Sequence, residues 1–195
     1  MQTLQTVQPT VNGSKKKWTY QDYLTLGEEV HCQVLEGELI MTPAPNLEHQ
    51  RISRKLEFEL LRFVEERSLG EVFDAPVDVI LDDENVVQPD LVFIAHASAG
   101  KLGKRGIMGA PDLVVEITSR SSLYYDRHQK KALYVQAGVK EYWLVDPANR
   151  SIEVFFLAAG QYQIVGHAEG QGSVASKLLE GFAIDVTKIM PGEPA

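Results

Sequence analysis

The chain has 195 residues, a hydrophobic fraction of 44% and a formal net charge of -8. That length and mixture describe one globular domain with a substantial core, not a disordered chain. The acidic excess excludes a protein that coats nucleic acid through bulk charge, although an enzyme with a local basic groove stays open.

Cys32 is the only cysteine, so neither an intrachain disulfide nor a thiolate zinc cluster can form. This fits a reducing, cytoplasmic setting. Residues 1 to 17 are polar, end in Lys15-Lys16-Lys17 and lack an apolar h-region; they read as a flexible leader ahead of a single domain over 18–190. No apolar run approaches the length of a membrane span.

Thr19 is placed to cap a short helix through Leu26. Cys32 to Leu35 and Glu38 to Met41 then form an N-terminal hairpin or a bent strand about Glu36-Gly37. Asn46 caps a long helix to about Ser68, with an apolar stripe of Ile52, Leu56, Leu60, Phe63 and Val64 and Gly70 as its stop.

Strands follow at Glu71 to Phe73 and Val77 to Leu81, then an acidic turn, then an apolar run from Val86 to Ile94. Residues 95 to 110 read as a Gly-rich loop carrying Lys101, Lys104 and Arg105. Asp112 to Thr118 is a second apolar strand. A helix spans Leu123 to Ala137, stopped by Gly138. Glu141 to Val145 is a strand, and Ile152 to Phe156 with Gln161 to Val165 forms a C-terminal hairpin. The order predicts an α/β (α+β) fold, a mixed central sheet flanked by helices.

Two carboxylates stand inside the apolar runs. Strand alternation puts Asp112, Val114, Glu116 and Thr118 on one face, and Gln88, Asp90 and Val92 on one face of the other strand. A buried charge is costly unless paired or bound to a metal. Two carboxylates on neighbouring strands suit a hard divalent cation such as Mg2+ or Mn2+. Alternatively, Asp90 caps a turn and Glu116 pairs with a basic residue. Asp112, after Pro111, reads as a strand-entry residue.

Asp126, Lys130 and Tyr134 recur at i, i+4 and i+8, and Leu133 and Ala137 flank that stripe. Lys130 then leans toward the core, where an ammonium orients a water or stabilises developing charge; the alternative is an ordinary Asp126–Lys130 surface pair, with Lys131 a competing choice. His49 opens the long helix, as a proton shuttle or phosphate donor or, the favoured reading, as a locally bonded helix-start residue. The Lys101–Arg105 loop is either a phosphate contact or simply solvated. His31, His96, His128 and His167 show no metal-ligand spacing, and no Walker A, dinucleotide fingerprint or nucleophile elbow is present.

The chain resembles the Uma2 family, also called DUF820, of restriction-endonuclease-like proteins in the PD-(D/E)XK nuclease superfamily. The carriers run from Glu36-Gly37-Glu38-Leu39 and Glu48-His49 through Val87-Gln88-Pro89-Asp90-Leu91 and Gly109-Ala110-Pro111-Asp112-Leu113-Val114-Val115-Glu116. Lys130 with Tyr134, Gly138-Val139 and Glu141-Tyr142-Trp143-Leu144-Val145-Asp146-Pro147 complete them.

The resemblance implies a helix, three-strand, helix, strand core and a Mg2+- or Mn2+-dependent endonuclease hydrolysing DNA without a nucleotide cofactor; cutting both strands usually calls for a homodimer, for which the apolar C-terminal hairpin offers an interface. Asp90, Glu116 and Lys130 would be catalytic, with the metal held by Asp90, Glu116 and the Ile117 main-chain carbonyl. Thr118 stands where the motif lysine is usual, and Lys130 matches the alternative position on the following helix. His49, Gln33 and Tyr134 are supporting candidates. The family's Tyr-Glu pair before the hairpin turn is Cys32-Gln33 here, and Arg120 replaces a usual proline. The missing glutamate opens a second expectation, a weakened or inactive nuclease-fold module binding nucleic acid or protein.

Overall fold

The computed structural model describes residues 17–27 and 30–190, so the expected leader lies outside the described residues except for Lys17. Thr19 caps helix α1 through a reciprocal box with Asp22, but α1 covers only Tyr20–Tyr23 and gives way to turns before Leu26. Strands β1 (Cys32–Leu35) and β2 (Glu38–Met41) form the expected hairpin. Its two-residue turn places Glu36 and Gly37 at φ 53° and 80°, the left-handed pair that a tight hairpin with right-twisted strands requires.

Helix α2 (Leu47–Glu66) is capped by Asn46, whose side chain accepts from the His49 N–H, and it buries the expected five-residue stripe. The stop differs from expectation. Ser68 takes the left-handed conformation after α2, and Gly70 opens strand β3 (Gly70–Asp74). Gly70 is needed for close approach, since a Cβ there would lie 2.0 Å from the Ile94 carbonyl oxygen.

The Val86-to-Ile94 run is two strands in two sheets. Strand β4 (Val79–Asp82) pairs with β5 (Asn85–Val87) in a small sheet, and β6 (Leu91–Ala95) begins after the break at Gln88–Asp90. Pro89 cannot donate to a ladder, so the chain changes sheets there. The expected loop at 95–110 contains a 3-10 turn at His96–Lys101 and a short strand β7 (Ile107–Met108), parallel to β4.

Strand β8 (Leu113–Ile117) runs antiparallel to β6 and parallel to β9 (Glu141–Asp146). Between them the helical segment 123–137 contains a π-helical turn, Tyr125–Lys130, followed by helix α3 (Lys131–Ala137). Strands β10 (Ser151–Ala158) and β11 (Gln161–Glu169) make a longer C-terminal hairpin than expected. Beyond it lie elements that no local pattern announces. There β12 (Ser173–Ala175) pairs with β13 (Ala183–Asp185) ahead of the short helix α4 (Val186–Ile189).

The large sheet runs β11-β10-β9-β8-β6-β3, and the small one β2-β1-β5-β4-β7. The two faces of the large sheet carry separate cores. Leu91, Phe93, Leu113, Val115 and Ile117 pack on the α2 stripe and on Phe182, Ile184 and Val186 near the C-terminus. Val92, Ile94 and Val114 pack on Leu133 and Tyr134 of α3 and on Leu35, Val79 and Val87 of the small sheet. The sequence α2, β3–β6–β8, α3, β9 is the helix, three-strand, helix, strand order. Among the described residues no helix is long and apolar enough to cross a membrane.

Candidate active site

Asp90 leads into β6 at one end of the large sheet, where its Oδ2 accepts the Ile117 N–H at 2.7 Å. Leu91 faces Val115 in the β6–β8 register, so one step outward sets Asp90 across from Glu116. Directly opposed residues of an antiparallel pair project to one side. That side is the α3 side, because Val92 and Val114 share the parity of Asp90 and Glu116.

Lys130 enters from the π-helical turn. Its Nζ lies 2.9 Å from Glu116 Oε1 and 3.4 Å from Asp126 Oδ1. Tyr134 donates its hydroxyl to the same Glu116 oxygen at 2.5 Å. Glu116, Asp126, Lys130 and Tyr134 are all buried, so the Asp126–Lys130 contact is an interior ion pair, not the surface pair of the alternative reading. Lys131 points elsewhere, its Nζ 3.5 Å from the Phe155 ring centroid.

His49 closes the group from the other side of the sheet end. Its Nε2 lies 3.2 Å from Asp90 Oδ1, while the other oxygen of Asp90 accepts the Ile117 N–H. The favoured expectation of a side chain bonded only within its own helix start is therefore corrected. The backbone N–H alone serves the cap, and α2 aims the imidazole under the sheet. The side chains of His49 and Asp90 stay 14% and 17% exposed, which makes them the water-facing edge of an otherwise closed cluster.

Gln33 bonds to the segment leading into Asp90. It accepts the Gln88 N–H at 3.0 Å and donates to the Thr42 hydroxyl at 3.4 Å, bracing the segment that delivers Asp90. Lys101 donates to the Ala110 carbonyl, while Lys104 and Arg105 are exposed on a segment that leaves β6 at the end remote from Asp90. Asp112 is a buried strand-entry anchor there, held by Lys140 at 2.7 Å and by the Ala95 N–H.

Burial and the neighbouring carboxylates shape the charge states. Burial pushes the Glu116 carboxyl up to about 8, with the charges of Asp126 and Asp90 adding to it and Lys130 opposing. Burial likewise raises Asp126, against Lys130 and Ser122. For Lys130, burial works against the ammonium, but Glu116 and Asp126 outweigh it and the pKa rises. For His49, burial is outweighed by the bond to Asp90, again upward. A charged Lys130 and one proton retained among crowded carboxylates satisfy both shifts together.

Among the described residues no three His, Cys, Asp or Glu side chains are grouped to hold an ion. The oxygens at the sheet end instead suit a hard cation that takes few protein ligands and keeps its waters. Asp90 and Glu116 face one another, both hydrogen bonds to Glu116 enter at Oε1, and the Ile117 main chain lies beside Asp90. Sequence spacing does not single out Asp126 as a site residue: its four-residue step to Lys130 is visible there, but the π-helical turn that draws both inward is not.

A mixed α+β domain with helices over both faces of a mixed sheet is a nuclease-like fold. The chain belongs to the Uma2 family, whose model, described as "Putative restriction endonuclease", matches residues 19–187. Among solved structures it is similar to a nuclease of DUF820 from Anabaena variabilis, itself described as putative. That match has a TM-score of 0.72 and 16% identity and covers 88% of this chain and 96% of the other. At that identity the likeness carries the fold alone. No curated protein matches the chain.

Proposed function

We propose that the protein is a Mg2+- or Mn2+-dependent endonuclease that hydrolyses DNA phosphodiester bonds, with Asp90, Glu116 and Lys130 as its catalytic residues. The observation that carries the proposal is the gathering of these three side chains at one sheet end, with Lys130 Nζ 2.9 Å from Glu116 and Asp90 bonded to Ile117. Asp90, Glu116 and the Ile117 carbonyl would hold the ion. When bound, it lowers the pKa of a water and neutralises charge on the attacked phosphate.

The chain's own groups do the rest. Lys130, kept cationic by its two carboxylates, stabilises charge that develops on the phosphate. Tyr134 holds Glu116 in place. His49, on the exposed edge beside Asp90, keeps a proton where a departing oxygen can take it. A homodimer through the β10–β11 hairpin, whose Ile164 and Val165 are exposed, would let two sites cut both strands.

Asp90→Ala and Glu116→Ala are expected to abolish Mg2+-dependent plasmid cleavage while circular dichroism shows the fold intact. Cutting at the wild-type rate by either variant would sink the proposal. One observation favours a second reading, a nuclease-fold module that binds without cutting: Gln33 brings no carboxylate and spends its amide on Gln88 and Thr42. A folded protein that takes up no Mg2+ or Mn2+ at millimolar concentration in calorimetry favours that reading.

A further inference from the structure

Asp126 is 1% exposed, and its Oδ1 receives no hydrogen bond. A buried carboxylate oxygen without a donor is unfavourable, yet this one lies within the cluster, 3.4 Å from Lys130 Nζ. The ammonium touches both Asp126 and Glu116, so the lysine is the contact that joins Asp126 to the site.

Charge counting shows what that arrangement does. Lys130, at 2.9 Å, would by itself neutralise Glu116 and leave Asp90, with the His49 ring 3.2 Å away, the one carboxylate of the pair without a lysine. With Asp126 on its other side, Lys130 already has a counter-ion. Glu116 and Asp90 can then turn both carboxyl groups toward a dication, and the lysine stays in place. A charge a few ångströms away in a dry site interacts far more strongly than in water.

Resting on the cation-dependent reading above, we propose that Asp126 is a positioning residue: it serves as the counter-ion of Lys130, so that Asp90 and Glu116 remain free to bind a divalent cation. It is neither a metal ligand nor in contact with substrate.

The test is Mg2+ binding by calorimetry at pH 8.5, with thermal melting alongside, on wild type and on D126N, D126E, K130M and D126N/K130M. D126N is expected to weaken Mg2+ binding on the order of 10-fold or more, as for groups that tune a site from behind its ligands. D126E should bind as wild type does. Adding K130M to D126N should restore most of the lost affinity, because the lysine no longer competes for Glu116, while cleavage stays absent. A merely structural Asp126 gives the opposite result, a double variant that binds no better than D126N, and that outcome overturns the proposal. Equal affinity of D126N and wild type also overturns it. A wild type that binds no Mg2+ at all overturns the cation-dependent reading first and this inference with it. If D126N fails to fold, K130M and D126E still decide: the role of Asp126 requires tighter binding in the first and unchanged binding in the second.

Discussion

Two buried glutamates stand on adjacent strands at opposite ends of the same pairing, and they are held in opposite ways. Glu141, fully buried at the start of β9, accepts from Trp143 Nε1, the Ser176 hydroxyl and the N–H groups of Lys177 and Leu178, all within 2.6–2.8 Å. Both its oxygens are satisfied by neutral donors, which tie the C-terminal segment to the sheet. Glu116, at the far end of β8, takes both its bonds at one oxygen, has a cation beside it and two further carboxylates nearby. The first arrangement is complete in itself. The second holds more negative charge than its one lysine can balance, and that excess marks the candidate site.

Substituting each glutamate is the strongest way to break this comparison. Glu116→Gln is expected to lower Mg2+-dependent cleavage by more than about 100-fold, since even supporting groups of a metal site are worth 10–100-fold. At pH 8.5 it should leave the melting temperature unchanged or higher, because there it removes a crowded buried charge. Glu141→Ala should do the reverse, losing roughly 3 kcal/mol or more as several buried donors lose their acceptor. Limited proteolysis after residue 170 would read that loss. Similar melting temperatures for the two variants would erase the distinction.

The pH dependence sharpens it further. The Glu116 carboxyl rises from an ordinary 4.5 to about 8 in the folded protein. Between those values the folded state binds more protons than the unfolded state, so this stabilisation is full below about 4.5 and lost as pH rises through 8. The metal-free protein should therefore melt progressively lower across that window, and Glu116→Gln should flatten the slope. A wild-type slope that survives in the variant assigns the proton elsewhere.

The smallest effect belongs to Asp112. Burial would raise its pKa, but Lys140, the Ala95 N–H and Ser98 hold it down. Its stabilisation is thus present above the unfolded pKa and fades as pH falls. Lys140 is largely exposed, so Asp112→Asn should change stability by about 1 kcal/mol or less in urea unfolding and leave cleavage alone.

Much of the large sheet was legible because period and parity are local. The α2 stripe follows from 3.6-residue spacing, and the face of Glu116 follows from alternation along β8. The lysine's direction was half legible. In a straight α-helix the eight-residue step from Asp126 to Tyr134 turns them about 80° apart. The π-helical turn takes in an extra residue and brings Asp126, Lys130 and Tyr134 toward one line facing Glu116. Spacing alone left Asp126 on the surface and Lys131 in contention.

The sequence by itself determined the elements that β8, α2 and the β1–β2 hairpin contribute, the parity of both carboxylates and the family, all carried by short-range periodicity and contiguous motifs. Tertiary structure alone decided that the run through Pro89 is shared between two sheets, that His49 reaches Asp90, and that Glu141 is an anchor while Glu116 is not. The reason is physical: apart from Trp143, two residues on, the partners of Glu141 lie 35 to 37 residues away, and those of Glu116 lie 14 and 18. A carboxylate's role depends on which donors the fold brings to it, and these come from beyond the reach of any local pattern.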